Sequence, residues 1–327
     1  MTLDRYFQSE LSALRQLGRR FSERNPALAP FLVEAGQDPD VERLLEGFAF
    51  LTARLRQKLD DELPELTHSL MHLLWPHYMR PIPAFSILQF DPLKRAGPGV
   101  RVGRDTAVES ATIHGERCRF RTCYATDVMP LQLSGLEYRS QGEGARLDLH
   151  LSMSVAGNFS ELAFDSLRLH LAGDPYVSQG LYLNLLRHLD GICLLLLDHD
   201  GMPIIASDGM PVMLRLAADQ VRPVGFSKEQ ALIPYPQNAL GGYRHLQEYF
   251  AFPEKYLFVD VEGLSVLHTL SHELLRQAHG MVMRFEHRTH GREPQRPTLD
   301  NIKLYCTPNV NLFKQDAIPI RLDGKQD

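Results

Sequence analysis

Cysteine is scarce, with four residues in 327, at positions 118, 123, 193 and 306. So few and so scattered, they cannot build the disulfide framework of a small secreted domain, and they fit a reducing compartment. Long apolar runs are missing as well. The longest, Ile192 to Leu197, falls far short of the ~20 residues that a membrane span needs. The opening MTLDRYFQSE carries Asp4 and Glu10 and no apolar signal core. Positive charge is not in excess either. Lys and Arg total 35 against 40 Asp and Glu, with net charge −5 and pI near 6.3. That balance excludes a chain whose main partner is a nucleic-acid backbone. Lysine itself is rare, 7 against 28 arginines. The planar arginine fork suits carboxylates and protein interfaces, although a GC-rich genome gives the same bias. What remains is a folded cytoplasmic chain, 44% hydrophobic and 23% charged, long enough for about two domains.

Residues 1–83 read as helical. Leu3, Phe7, Leu11, Leu14, Leu17 and Phe21 recur at three- and four-residue steps, ending at Asn25-Pro26. A second helix starts where Asp38 can cap and Pro39 suits the first turn; its apolar face is Val41, Leu44, Leu45, Phe48, Leu55 and Leu59. A third is expected from Pro64 to Trp75, before Pro76, Pro81 and Pro83 stop helix formation. From residue 84 the period drops to 2. Residues 85–90, 117–124, 147–155 and 167–171 alternate apolar with polar side chains, as antiparallel sheets with one wet face do. A helix near 176–189 leads into a buried strand at 192–197, and further strands are expected at 256–261, 281–285 and 302–305. The expected fold class is α+β: an N-terminal helical segment, then mainly antiparallel β-rich domains with a few inserted helices. A composition change near Pro223 places domains at 1–83, 84–225 and 226–327, the last ending abruptly at RLDGKQD as if truncated.

Reactive chemistry is mostly absent. His268 and His272 stand four apart, with His279 beyond, a spacing that would aim two imidazoles at one metal from one helix. The zincin motif would need a second His where Arg276 stands. A metal-assisted hydrolase using His268, His272 and His279 is therefore the alternative reading rather than the first. Neither Ser134 nor Ser207 has the flanking glycines of a nucleophile elbow, and no phosphate-binding glycine loop occurs. Asp198-His199-Asp200-Gly201, after a buried strand, reads as a turn. No catalytic residue, cofactor or metal is expected. A sugar- or peptide-binding β-domain would need a concave aromatic site.

Three strings carry a resemblance: FQSELSALRQLGRRFSERNPALAP, then DPDVERLLEGFAFLTARLRQKLDDELPELTHSLMHLLWPHYMRPIPAFSILQF, then PVGF…ALIPYP…GYRHLQEYFAFPEKYLFVDVEGL. They resemble the TssF family (also ImpG or VasA), baseplate subunits of the bacterial type VI secretion system, and the likeness runs on through Cys306-Thr307-Pro308. The resemblance implies the N-terminal portion of a longer, non-enzymatic subunit. It implies a wedge of two TssF copies per TssG, joined by TssK adaptors, closing on the VgrG spike hub, with TssE a further partner. The expected location is the cytoplasm, recruited to the inner-membrane-attached secretion complex. It also implies an interface on the first helix through Leu3, Phe7, Leu11, Leu14, Leu17 and Phe21. A second candidate contact is the aromatic string around Tyr243, Tyr249, Phe250 and Phe252, which a core around a Pro-rich turn would explain equally well.

Overall fold

A computed structural model describes residues 3–26, 38–74, 78–141, 144–162, 165–207, 209–235, 241–288 and 296–317. The chain divides into two compact units, Met1–Pro81 and Ile82–Asp327. The mix of helices with antiparallel sheets is the expected α+β class.

The first unit holds α1 (Leu3–Arg24) and α2 (Pro39–Leu74). Asp4 in the first turn and Arg24 in the last complement the dipole of α1. Asn25 closes it, with its backbone and side-chain N–H groups both donating to the Phe21 carbonyl. α2 starts as its sequence implies: the Asp38 carboxylate accepts the Asp40 N–H at 3.0 Å, and Pro39 needs no partner at the first position. The third helix expected at Pro64 is not separate. Pro64 lies inside α2, whose 36 residues span about 54 Å at 1.5 Å per residue. The backbone bond that Pro64 cannot make is a local loss of ~3 kcal/mol, and the long helices on either side outweigh it. The end expected at Trp75 lies outside the described residues.

The second unit contains β1 (Phe85–Gln89), β2 (Val100–Val102), β3 (Ala107–Glu109), β4 (Arg119–Thr122), β5 (Thr126–Val128), β6 (Leu131–Gln141), β7 (Gly144–Met153) and β8 (Leu167–Leu171). After α3 (Pro175–Arg187) come β9 (Leu189–Leu197), β10 (Met213–Ala217) and β11 (Val221–Pro223). Then follow α4 (Gly241–Ala251), β12 (Phe258–Val261), α5 (His272–Gln277), β13 (Gly280–Arg288), β14 (Ile302–Leu304) and β15 (Cys306–Val310). Every named pairing is antiparallel. The sheets run β1-β15-β4-β3, β10-β9-β13-β7-β6, β11-β12-β8-β14 and β2-β5.

These orders correct the boundary near 225. β13 lies between β9 and β7, and β15 between β1 and β4, so strands from both sides of 225 share sheets. The Pro-rich change of composition marks a loop over one body, because hydrogen-bond partners distant in sequence leave no local trace. The wet face expected on β7 is also partly wrong. Leu147, Leu149 and Leu151 are buried as expected, but so is Asp148. With β13 and β6 on its flanks, β7 is interior, and Asp148 accepts Nε and Nη2 of Arg284 at 3.0 and 3.2 Å. A buried carboxylate paired in this way avoids the cost of an isolated charge.

Candidate assembly interface

The geometry of the first unit follows from which stripe each helix spends on the other. α1 packs on α2 antiparallel, as three cross-links fix: Tyr6 Oη donates to Asp60 Oδ2 at 3.0 Å, Arg56 Nη1 to Glu10 Oε1 at 2.6 Å, and Arg15 to Glu42. The Asp60 carboxylate raises the Tyr6 phenol above its ordinary value, and Glu10 does the same for the Arg56 guanidinium. The buried apolar positions among the described residues are Leu11, 5% exposed, with Ala49 and Ala53, two small residues one turn apart that let the helices approach closely. Leu11 is thus interior to its own hairpin, a correction to its expected place on a partner face. Leu3, Phe7 and Leu14 are half-buried, and Leu17 and Phe21 are exposed.

The larger uncovered surface is on α2. Leu44, Phe48, Leu51, Leu55, Leu59, Leu66, Leu70 and Leu73 step by three, four or seven along one side. All are exposed, with Leu44 at 74%, Leu55 at 63% and Leu73 at 79%. The sequence marks most of this face as apolar but does not single it out as a contact surface. The signal was its length: one α1 cannot cover two apolar faces of a 36-residue helix.

The aromatic string of the second unit divides. Phe258 is fully buried, its ring 4.4 Å from that of His170 and 5.8 Å from Tyr124. Phe252 is half-buried and stacks on Phe85 at 5.6 Å, so it anchors the fold. Beneath α4, Glu248 accepts the Leu232 N–H at 2.8 Å and the ammonium of Lys255, both side chains buried. Tyr243, Leu246, Tyr249 and Phe250 face outward, Phe250 at 82% exposure. Sequence spacing could not separate these two groups, because the bend at Phe252 redirects the chain.

His268 and His272 do not share the helical face that the hydrolase alternative needs. His268 lies in a 3-10 turn (Leu264–Thr269), whereas His272 is the first residue of α5, which Ser271 caps. Leu270, extended between them, breaks the shared helical face, and both imidazoles are exposed. Among the described residues the group able to converge on an ion is Asp198, His199 and Asp200, with ligand atoms within 4.8 Å. There Asp198 Oδ1 already accepts the N–H groups of Asp200 and Met202 at 2.9 and 2.8 Å, so the segment is a turn. Nothing here supports the hydrolase alternative. Arg117, before β4, lies 3.5 Å from Glu109, and Arg121, within it, lies 2.9 Å from Asp105, so both are paired.

The family model for the type VI secretion system protein TssF matches residues 1–327. The chain belongs to the TssF family. The type VI secretion system component TssF1 of Pseudomonas aeruginosa is 32% identical over 98% of this chain and 53% of its own length. The chain therefore spans about half the length of that TssF relative. A cryo-electron microscopy structure of a type VI TssK-TssF-TssG baseplate subcomplex matches 87% of this chain and 52% of the chain compared, at 30% identity and a TM-score of 0.67. A second structure, a type VI baseplate complex, matches at 28% identity and a TM-score of 0.43, over 99% of this chain and 54% of the other. Among the described residues of this TssF chain, no helix is long and apolar enough to cross a membrane.

Proposed function

We propose that this chain is a structural, non-enzymatic subunit of a type VI secretion baseplate wedge, working in the cytoplasm at the inner-membrane-attached complex. TssG, a second TssF copy and TssK are its immediate partners, with TssE and VgrG further out in the assembly. The observation that carries this reading is the α2 stripe from Leu44 to Leu73, joined by Leu17 and Phe21 of α1. A leucine stripe left in water is a protein-contact surface, since soluble monomers seldom keep extended apolar patches exposed. Helices from TssG are the occupant that family membership supports. The outward face of α4, with Tyr243, Tyr249 and Phe250, is proposed as a second, smaller contact.

The test is co-purification with TssG. Leu51→Asp with Leu55→Asp places two charges in the stripe and should abolish co-purification, while the circular dichroism of the chain alone stays unchanged. Retention of TssG by this double variant would overturn the assignment.

A further inference from the structure

Where the β2–β5 ribbon meets β8 and β12, the loop at 228–231 closes over a cavity of about 390 Å³. That volume lies within the range of small-ligand sites. Two of its arginines form a fixed frame. Arg168 donates from Nε and Nη2 to both carboxylate oxygens of Asp260, each at 2.7 Å, and Arg104 donates to the carbonyls of Glu229 and Ala231.

Arg101 is different. Its nearest carboxylate, Asp127, is 3.6 Å away, beyond hydrogen-bond reach, and 71% of its side chain is exposed. Its guanidinium is therefore open to a bidentate acceptor. Other polar groups of the same wall are also unspent. Gln230 Oε1 accepts the N–H groups of Gly225 and Ser227 at 2.7 and 3.2 Å, which leaves its amide nitrogen to donate. The Tyr124 and Thr126 hydroxyls are buried and have no partner among the described residues. A buried hydroxyl without a partner is costly and calls for an explanation. Of the groups left over, Arg101 and the Gln230 amide are pure donors and the hydroxyls can donate.

We propose that this cavity binds an oxyanion, carboxylate or phosphate, with the Arg101 fork as its anchor. Asp127 is the internal competitor that such an anion displaces from Arg101. The site lies wholly in the β-rich unit, so its test needs no TssG.

Inorganic phosphate and glutarate are titrated separately into the chain, in chloride buffer at constant ionic strength, by calorimetry. Both variants alter side chains more than half exposed, so the fold persists. At least one probe should bind saturably, in the millimolar range, with the preferred probe distinguishing a free phosphate from a carboxylate source. Arg101→Gln should weaken that binding at least tenfold, and Asp127→Asn should tighten it several-fold. Opposite signs from two neighbouring residues are what charge competition requires and general destabilisation does not give. If neither probe saturates, or both variants move the affinity in the same direction or not at all, the cavity holds only water and the proposal fails.

Discussion

The two units treat leucine in opposite ways. On β7 and β8, Leu147, Leu149, Leu151, Leu169 and Leu171 are almost wholly removed from water. On α2, Leu51, Leu55, Leu59, Leu66 and Leu70 stay in it. Full burial of such a side chain contributes about 1.5–3 kcal/mol, so the β-rich unit collects a large apolar stabilisation within itself. The hairpin relies on Leu11, Ala49 and Ala53 and on solvent-accessible ion pairs, each of which adds ~0–1 kcal/mol. Periodicity thus reports that a face is apolar but not what covers it. In one unit the cover is the same chain; in the other it is proposed to be a partner.

The largest expected effect tests the self-sufficient side. Phe285 sits fully buried on β13, whose neighbours are β7 and β9. Phe285→Ala should lower unfolding free energy by about 3–5 kcal/mol in urea denaturation, as large core truncations do. A loss below ~1 kcal/mol would mean that the unit's core is loose, and the contrast with the hairpin would collapse.

Much of this was legible in the residues, and the parts that were not share one cause. The cap at Asp38, the helix after Asp174 and the alternation of β7 are local, and local chemistry specified them. Pro64 misled because helix propensity is a local weight that a long amphipathic helix can override. The boundary at 225, the burial of Asp148 and the inward turn of Leu11 all depend on which distant segment packs alongside. The aromatic string failed as a single object because Phe252 and Phe258 are core while Tyr249 and Phe250 point out. The cavity beside Arg101 draws its wall from six separate stretches and left no motif to find.

A middle-sized effect comes from His170. It lies on β8 between β12 and β14, buried, with neither ring nitrogen hydrogen-bonded among the described residues. Burial pushes its pKa down from 6.5 to about 4. The folded state therefore holds it neutral where the unfolded chain binds a proton. Its contribution is fully present above pH ~6.5 and is lost as pH falls toward ~4, amounting to a few kcal/mol at pH ~4.5. His170→Phe should remove that share of the acid sensitivity, measured as the difference between wild type and variant in urea midpoints at pH ~7 and ~4.5. Equal acid sensitivity in the two proteins would show that His170 is solvated.

The smallest expected change decides the comparison. Leu55 points into water from the middle of the α2 stripe, and alanine is at least as good a helix former. For the chain alone, Leu55→Ala should shift unfolding free energy by no more than ~0.5 kcal/mol, as exposed substitutions do. In the presence of TssG the same change should weaken association by ~1 kcal/mol or more, because it removes an apolar side chain from the proposed contact. The pairing of the two measurements matters more than either one. A cost of ~2 kcal/mol or more in the isolated chain would mean that another part of the chain covers the stripe. The hairpin would then be a second core, and the contrast between the units would vanish.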